Sequence, residues 1–407
     1  MSRCQRECHR FEPDILLQTK WFASSILSTR SRTIMLKNIK LLEKLSPSPL
    51  DTLLISNEDF QGKLKVLSPF FNFDFATADQ TERTIFYYNL LYLAERDLSL
   101  AHCVQHNHKA RLAISLGDNS TAKKSLTDTA YHEIICCYSS HRAVDTIQYD
   151  PVTNTLTPGL KGWLSNLISA KYVAIEVTDI SVNKKFSSGH ITHINGVTPD
   201  VYTVFLDLSK VNHSISETVS PTAIGMTGAS PGVLTLHDTV PVGTDTCYML
   251  KLNPRQEYNY PWSSYVRMCW STVHLGVIIG LYNELLKYPE LKDPGLAYKL
   301  KTIEIDISSL KILWEHSIEH MILNTGGSTY GNPVMPASYI GSTRDTQYAF
   351  SKKILLELIS FVLEVGLNQF IDDTTPQWIR FRDAITYVTH MASLYRCNNK
   401  YEHYNKF

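Results

Sequence analysis

A lysine, an indole, a hydroxyl and an amide crowd into the start of the stretch GLKGWLSNLISAKYVAIEV, residues 159 to 177. Between Trp163 and Ser169 apolar and polar positions do not alternate cleanly, so strand packing alone does not explain Lys161, Trp163, Ser165 and Asn166. Something set against Trp163 and Ser165 is the expectation. A second group is the histidine-rich run His102, His106 and His108, in which His102 and His106 stand four apart on one helical face. Two such imidazoles can take two positions on a metal, but no third histidine or carboxylate stands in register, so no metal site is expected. His390 lies in a helical pattern behind Arg382 and Asp383, which read as an ion pair. Cys136 and Cys137 open an apolar strand pattern and read as small hydrophobes.

Three successive textures must position these groups. From about residue 50 to 115 apolar positions recur every three or four residues, as in RTIFYYNLLYLAERDLSLAHCVQ, which predicts helices. From 131 to 250 β-branched runs alternate with turn signals (EIICCY, KYVAIEV, INGVTPDVYTVFLDL, GVLTLHDTVPV), which predicts a mostly antiparallel strand unit. Long amphipathic patterns then return at 262–287, 297–323, 345–370 and 376–396, with a Gly-, Ser- and Pro-rich connection at 324–344. The predicted architecture is α+β, with a helical domain at 1–130, a β domain at 131–250 and a four-helix bundle at 251–407.

Composition excludes several classes of partner. The chain has 407 residues, 39 basic and 39 acidic, so no global field draws it to nucleic acid or to an anionic membrane. The apolar runs at 275–282 and 354–367 are short or carry glutamates, so no transmembrane span is expected. Eight cysteines without C-x-x-C spacing and a charged N-terminus predict reduced thiols and a cytoplasmic location.

The motifs, in this order, resemble the acyl-CoA dehydrogenase superfamily of flavoproteins. Lys161, Trp163, Leu164, Ser165 and Asn166 match a K-x-W-I-T-N pattern, and IGMTGASPGVLTLHDTVPV at 224–242 resembles M-G-x-R-G-S-x-T-x-x-L-x-F-D-x-V-x-V-P, with Thr227 in place of the arginine. IRFRDAITYVTHMASL at 379–394 resembles the Y-R-D-A segment of the last long helix. The resemblance implies FAD or FMN as cofactor, with Trp163 shielding one face of the flavin and Ser165 bonding near N5. It also implies cofactor contacts from Asn166 and, in the preceding CCYSSHRAVDTIQYD loop, from Tyr138 and Ser139. The implied fold is a helical N-terminal domain, a central antiparallel β-barrel or sandwich and a C-terminal four-helix bundle.

Within that superfamily the residues divide the possible chemistry. Dehydrogenases place a glutamate eight residues after the aspartate of R-D-A, and here Met391 stands there, a side chain that accepts no proton. His390 beside it, and DLSLAHCVQHNH at 97–108, resemble the two-component monooxygenase branch, of the dibenzothiophene monooxygenase and hydroxyphenylacetate hydroxylase kind; Gln105 departs from that branch's glycine. The implied reaction oxygenates a small-molecule substrate with O2 and reduced flavin from a separate reductase, with His390 and His108 moving protons.

Two alternatives stay open. One is a divergent acyl-thioester dehydrogenase with its base elsewhere, such as Glu364 or Asp372; the other is a non-catalytic scaffold. The family's Gly-Gly is reduced to Gly366, followed by Leu367 and Asn368, and no R-x-x-F-G match occurs in 288–305. A homo-oligomer, tetramer or dimer, is implied in each case.

Overall fold

In the computed structural model, the described residues are chiefly 80–116, 135–139, 145–164, 170–180, 201–217, 232–250, 260–288, 293–324, 337–366 and 375–389. The first two helices are α1 (Gln80–Ala94) and α2 (Leu98–Leu116). Asp97 sits between them as the N-cap of α2, its Oδ1 accepting from the Leu100 amide at 2.8 Å. Strands then follow: β1 (Ile135–Ser139), β2 (Tyr149–Asp150), β3 (Thr155–Leu156), β4 (Gly159–Leu164) and β5 (Tyr172–Thr178). After them come β6 (Phe186–Ser187), β7 (His190–Ile191), β8 (Val201–Asp207), β9 (His213–Glu217), β10 (Gly232–Leu236), β11 (Val240–Pro241) and β12 (Cys247–Leu250).

The larger sheet has the order β1-β5-β8-β12, and β4-β10-β9 and β11-β3-β2 form three-stranded sheets. Val173, Ile175, Val177, Val204 and Leu206 of the first sheet share one core with Leu164, Leu234, Leu236 and Val240 of the others, giving packed layers. No closed barrel forms among the described residues. The expectation of antiparallel pairing holds for β5-β8 and β8-β12, but β1 and β5 run parallel. Strands β2, β3 and β4 intervene, and such a long excursion lets the chain re-enter beside β1 in the same direction.

Four long helices follow, as the periodicity predicts: α3 (Tyr260–Leu285), α4 (Pro294–Asn324), α5 (Ala337–Val365) and α6 (Pro376–Thr389). Asp293 and Thr375 cap α4 and α6, each followed by proline at the first helical position. Helix α3 is the hub: it packs against α4, α5 and α6 and also against α1 and α2, so the helices on either side of the strands share a core. Its crossing with α1 needs glycine. A Cβ on Gly276 would collide with the Ala94 side chain and come within 2.9 Å of the Leu91 carbonyl, and one on Gly280 would strike the Glu95 carbonyl. Between helices, Trp314 Nε1 donates to Thr272 Oγ1 at 2.8 Å and Gln347 Nε2 donates to the Leu313 carbonyl at 3.0 Å. No helix among the described residues is long and apolar enough to cross a membrane.

Candidate functional site

Strand β4, which carries Lys161 and Trp163, is held by charge as well as by its ladder. Lys161 Nζ donates to Asp145 Oδ2 at 2.7 Å and to the Glu176 carbonyl at 2.9 Å, and Asp145 Oδ1 accepts from the Gly162 amide at 3.0 Å. Both charged side chains are fully buried. A buried carboxylate in this position is tolerable only because the ammonium and the amide together satisfy both its oxygens. The neighbouring residues repeat the clasp through the backbone: the Thr146 amide donates to the Leu160 carbonyl at 2.8 Å, and the Leu160 amide donates to Thr146 Oγ1 at 2.7 Å. Gly159 allows this approach, since a Cβ there would lie 2.7 Å from Thr146 Oγ1.

The strand β1, which carries Tyr138 and Ser139, packs against β4 and also against α2. Two of the segments singled out from the sequence therefore lie side by side, and the histidine-rich helix lies against one of them. Ser165 and Asn166 directly follow β4 and lie outside the described residues, as does His390, one residue beyond α6.

Helix α2 is buried on nearly every side from Leu98 to His108, yet it is rich in polar groups. His102, Gln105, His106, Asn107 and His108 are all at most 5% exposed. His102 and His106 stack edge to face with centroids 4.3 Å apart, and each lies 5.7 Å from Trp270 of α3, where His274 follows one turn on. Among the described residues no group of three histidine, cysteine or carboxylate side chains is arranged to hold a metal. His108 turns instead into the helical core, stacked on Phe86 at 3.9 Å. Burial, helped by Arg111, pulls its pKa down to about 3, so its imidazole is neutral at physiological pH. It can donate or accept a hydrogen bond there but carries no spare proton. Gln105 is different again: neither its amide oxygen nor its amide nitrogen has a hydrogen-bond partner among the described residues.

Sequence reasoning missed Asp145, because its partnership with Lys161 spans sixteen positions and a turn-rich segment gives no local sign of it. It also missed Glu95 at the end of α1, whose carboxyl is pushed up to about 7 by burial despite Arg96, Lys311 and Arg380 nearby. The alternative base Glu364 lies on the exposed side of α5, ion-paired with Lys299 of α4, and Asp372 lies outside the described residues. Gly366 adopts φ of 66° at the end of α5 with open space where a Cβ would stand, so backbone conformation alone accounts for the glycine.

No protein-family model and no curated protein matches the sequence. The fold, by contrast, has clear counterparts. It is similar to KijD3, solved in complex with FMN and dTDP-3-amino-2,3,6-trideoxy-4-keto-3-methyl-D-glucose, with a TM-score of 0.64 and 11% identity over 94% of this chain and 95% of that one. Butyryl-CoA dehydrogenase from Megasphaera elsdenii matches with a TM-score of 0.65 and 11% identity over 92% of this chain and 99% of its own. Dibenzothiophene monooxygenase TdsC from Paenibacillus sp. A11-2 matches at 0.56 and 11% over 85% and 95%. Both dehydrogenases and monooxygenases thus share this architecture, and the likeness is one of fold: this protein has the acyl-CoA dehydrogenase fold.

Proposed function

We propose that this protein is a flavin-dependent oxidoreductase that oxygenates a small molecule, using O2 and reduced FMN or FAD delivered by a separate reductase. The observation that carries this reading is the contact between β1 and β4, the strands on which Tyr138, Ser139 and Trp163 lie, with β4 clamped by the Lys161–Asp145 pair. The donor set suits a flavin: an indole for its flat face, and the hydroxyls and amide of Ser139, Ser165 and Asn166 for its polar edge. The bound flavin would supply two-electron chemistry and the activation of O2. FMN supports the reading through KijD3, whose structure contains it.

The chain's own residues divide the remaining work. Trp163 would keep water from one side of the ring, on a strand held by the buried Lys161–Asp145 clasp, and Ser165 would hold its edge. His390 takes the proton released by the substrate at an imidazole nitrogen, and His108, uncharged, acts through a hydrogen bond. Dehydrogenation of a thioester is the weaker reading, because Met391 fills the base position and Glu364 is exposed and paired. We place the protein in the cytoplasm, where buried thiols such as Cys103, Cys247 and Cys269 stay reduced.

A second copy of the chain is the proposed partner. Tyr298, Ile305 and Ile312 are exposed at seven-residue spacing along α4, and Leu356 and Leu363 repeat the spacing on the adjoining α5. Such a stripe lies on one helical face and suits a helix-to-helix interface between subunits.

The assay that separates the two chemistries supplies O2 to the protein loaded with reduced flavin, and acyl-CoA to the protein loaded with oxidised FAD under anaerobic conditions. A monooxygenase delays the return of oxidised-flavin absorbance relative to free reduced flavin and leaves FAD unbleached by acyl-CoA. Bleaching by acyl-CoA identifies a dehydrogenase instead.

A further inference from the structure

Among the described residues, the buried amide of Gln105 lacks the partners that a core polar group ordinarily has. It is 2% exposed, and neither its oxygen nor its nitrogen meets a partner among them. Burial without a partner costs the lost hydration of both groups, and an apolar side chain of the same length would avoid that cost. Its surroundings are specific. His102, Gln105 and His106 stand at i, i+3 and i+4 on α2, and the two imidazoles form an aromatic cluster with Trp270 of α3. The same helix packs against β1, the strand of Tyr138 and Ser139.

We propose that Gln105 is a ligand-binding residue that recognises a neutral group carrying one donor and one acceptor, such as a hydroxyl or a primary amide, on a flat substrate lodged beside the His102–His106–Trp270 rings. The inference rests on the reading of the protein as a flavin enzyme and adds to it the polarity that the substrate must present. A primary amide offers both an N–H and a carbonyl, so it matches a hydroxyl or amide fully and a carboxylate only in part. The aromatic rings favour a planar ligand, which they can meet in offset-stacked or edge-to-face geometry.

Four probes of one size isolate the interaction: benzamide and phenol carry donor and acceptor, benzoate is an anionic acceptor, and toluene has neither. Binding to the full-length wild-type protein and to Gln105→Met and Gln105→Glu is measured by calorimetry, alongside the affinity of each protein for FMN. Wild type should bind benzamide and phenol about tenfold more tightly than toluene, and Gln105→Met should erase that preference while leaving FMN affinity unchanged. Gln105→Glu should weaken benzamide and phenol and should not create affinity for benzoate.

An unchanged preference in Gln105→Met overturns the proposal. So does a wild-type protein that does not distinguish benzamide from toluene, in which case an enclosed water satisfies the amide and Gln105→Met raises the melting temperature. A protein that binds no flavin but shows the Gln105-dependent preference retains the ligand site and refutes the flavin reading alone. Loss of FMN affinity in Gln105→Met would instead make Gln105 a cofactor contact and overturn its assignment to the substrate.

Discussion

Lys161 and Asp145 meet at 2.7 Å with neither side chain accessible to solvent, and the same carboxylate takes the amide of Gly162. Removing one partner leaves an uncompensated charge in the core, so Lys161→Met and Asp145→Asn should each destabilise the protein by roughly 3–5 kcal/mol in urea unfolding. The double variant Lys161→Met/Asp145→Leu should recover part of that loss, because no charge is stranded; the Gly162 amide still loses its acceptor. If the pair supports the ring-facing strand, flavin affinity should also fall in the single variants that remain folded.

Glu95 predicts a pH dependence of opposite sign to the usual acidic side chain. Its folded pKa of about 7 lies above the ordinary 4.5, so the folded state binds the proton more tightly than the unfolded chain does. Its contribution is fully present below about pH 4.5 and is lost as pH rises through 7. Glu95→Gln should therefore flatten the decline in unfolding free energy between these values. Burial also raises Asp97 and Glu315, so part of the slope should remain.

His108 and His390 should separate in a pH profile. With its pKa held near 3, His108 does not titrate in the range where enzymes of neutral pH are assayed. An ionisation between pH 6 and 8 in the oxygenation rate should persist in His108→Gln and vanish in His390→Ala, whose rate should be lower by about 100-fold or more. A limb that follows His108 instead would show that ligand binding opens its site to solvent.

The exposed stripe on α4 predicts the assembly. Ile305→Glu combined with Ile312→Glu should lower the molar mass in light scattering to that of a smaller species, with helicity by circular dichroism unchanged. An unchanged mass would remove α4 from the interface.

Much of the helical architecture was legible. Apolar periodicity finds α3 within two residues at each end and the first residue of α6, but it starts α4 three residues late, because the Asp293-Pro294 cap carries no apolar period. Helix α5 was misplaced in both directions. Its first turns, ASYIGSTRD, are polar and read as connection, while Gly366, in the left-handed conformation, ends it before the apolar pattern fades. Strands β5, β8 and β10 followed from β-branched runs, but the parallel pairing of β1 with β5 did not, because register between distant strands leaves no mark in either one alone.

The candidate site was legible where its residues carry a motif and illegible where they carry only a partner. The family resemblance singles out Trp163 and the β1 segment, and the fold brings their strands together. Asp145, joined to Lys161 across a turn, and Gln105, unusual only because it is buried, become visible when the chain is folded. Gln105 had registered in the sequence solely as a departure from glycine.

The central claim is that β1 and β4 form the wall of a flavin site. Titration of the purified protein, stripped of flavin, with oxidised and reduced FMN and FAD, followed by absorbance and fluorescence in wild type and in Trp163→Ala, tests it most directly. The account predicts saturable binding that favours reduced flavin and is weakened by Trp163→Ala. Absence of binding for all four forms would contradict it and would leave the protein an oligomeric scaffold built on this fold.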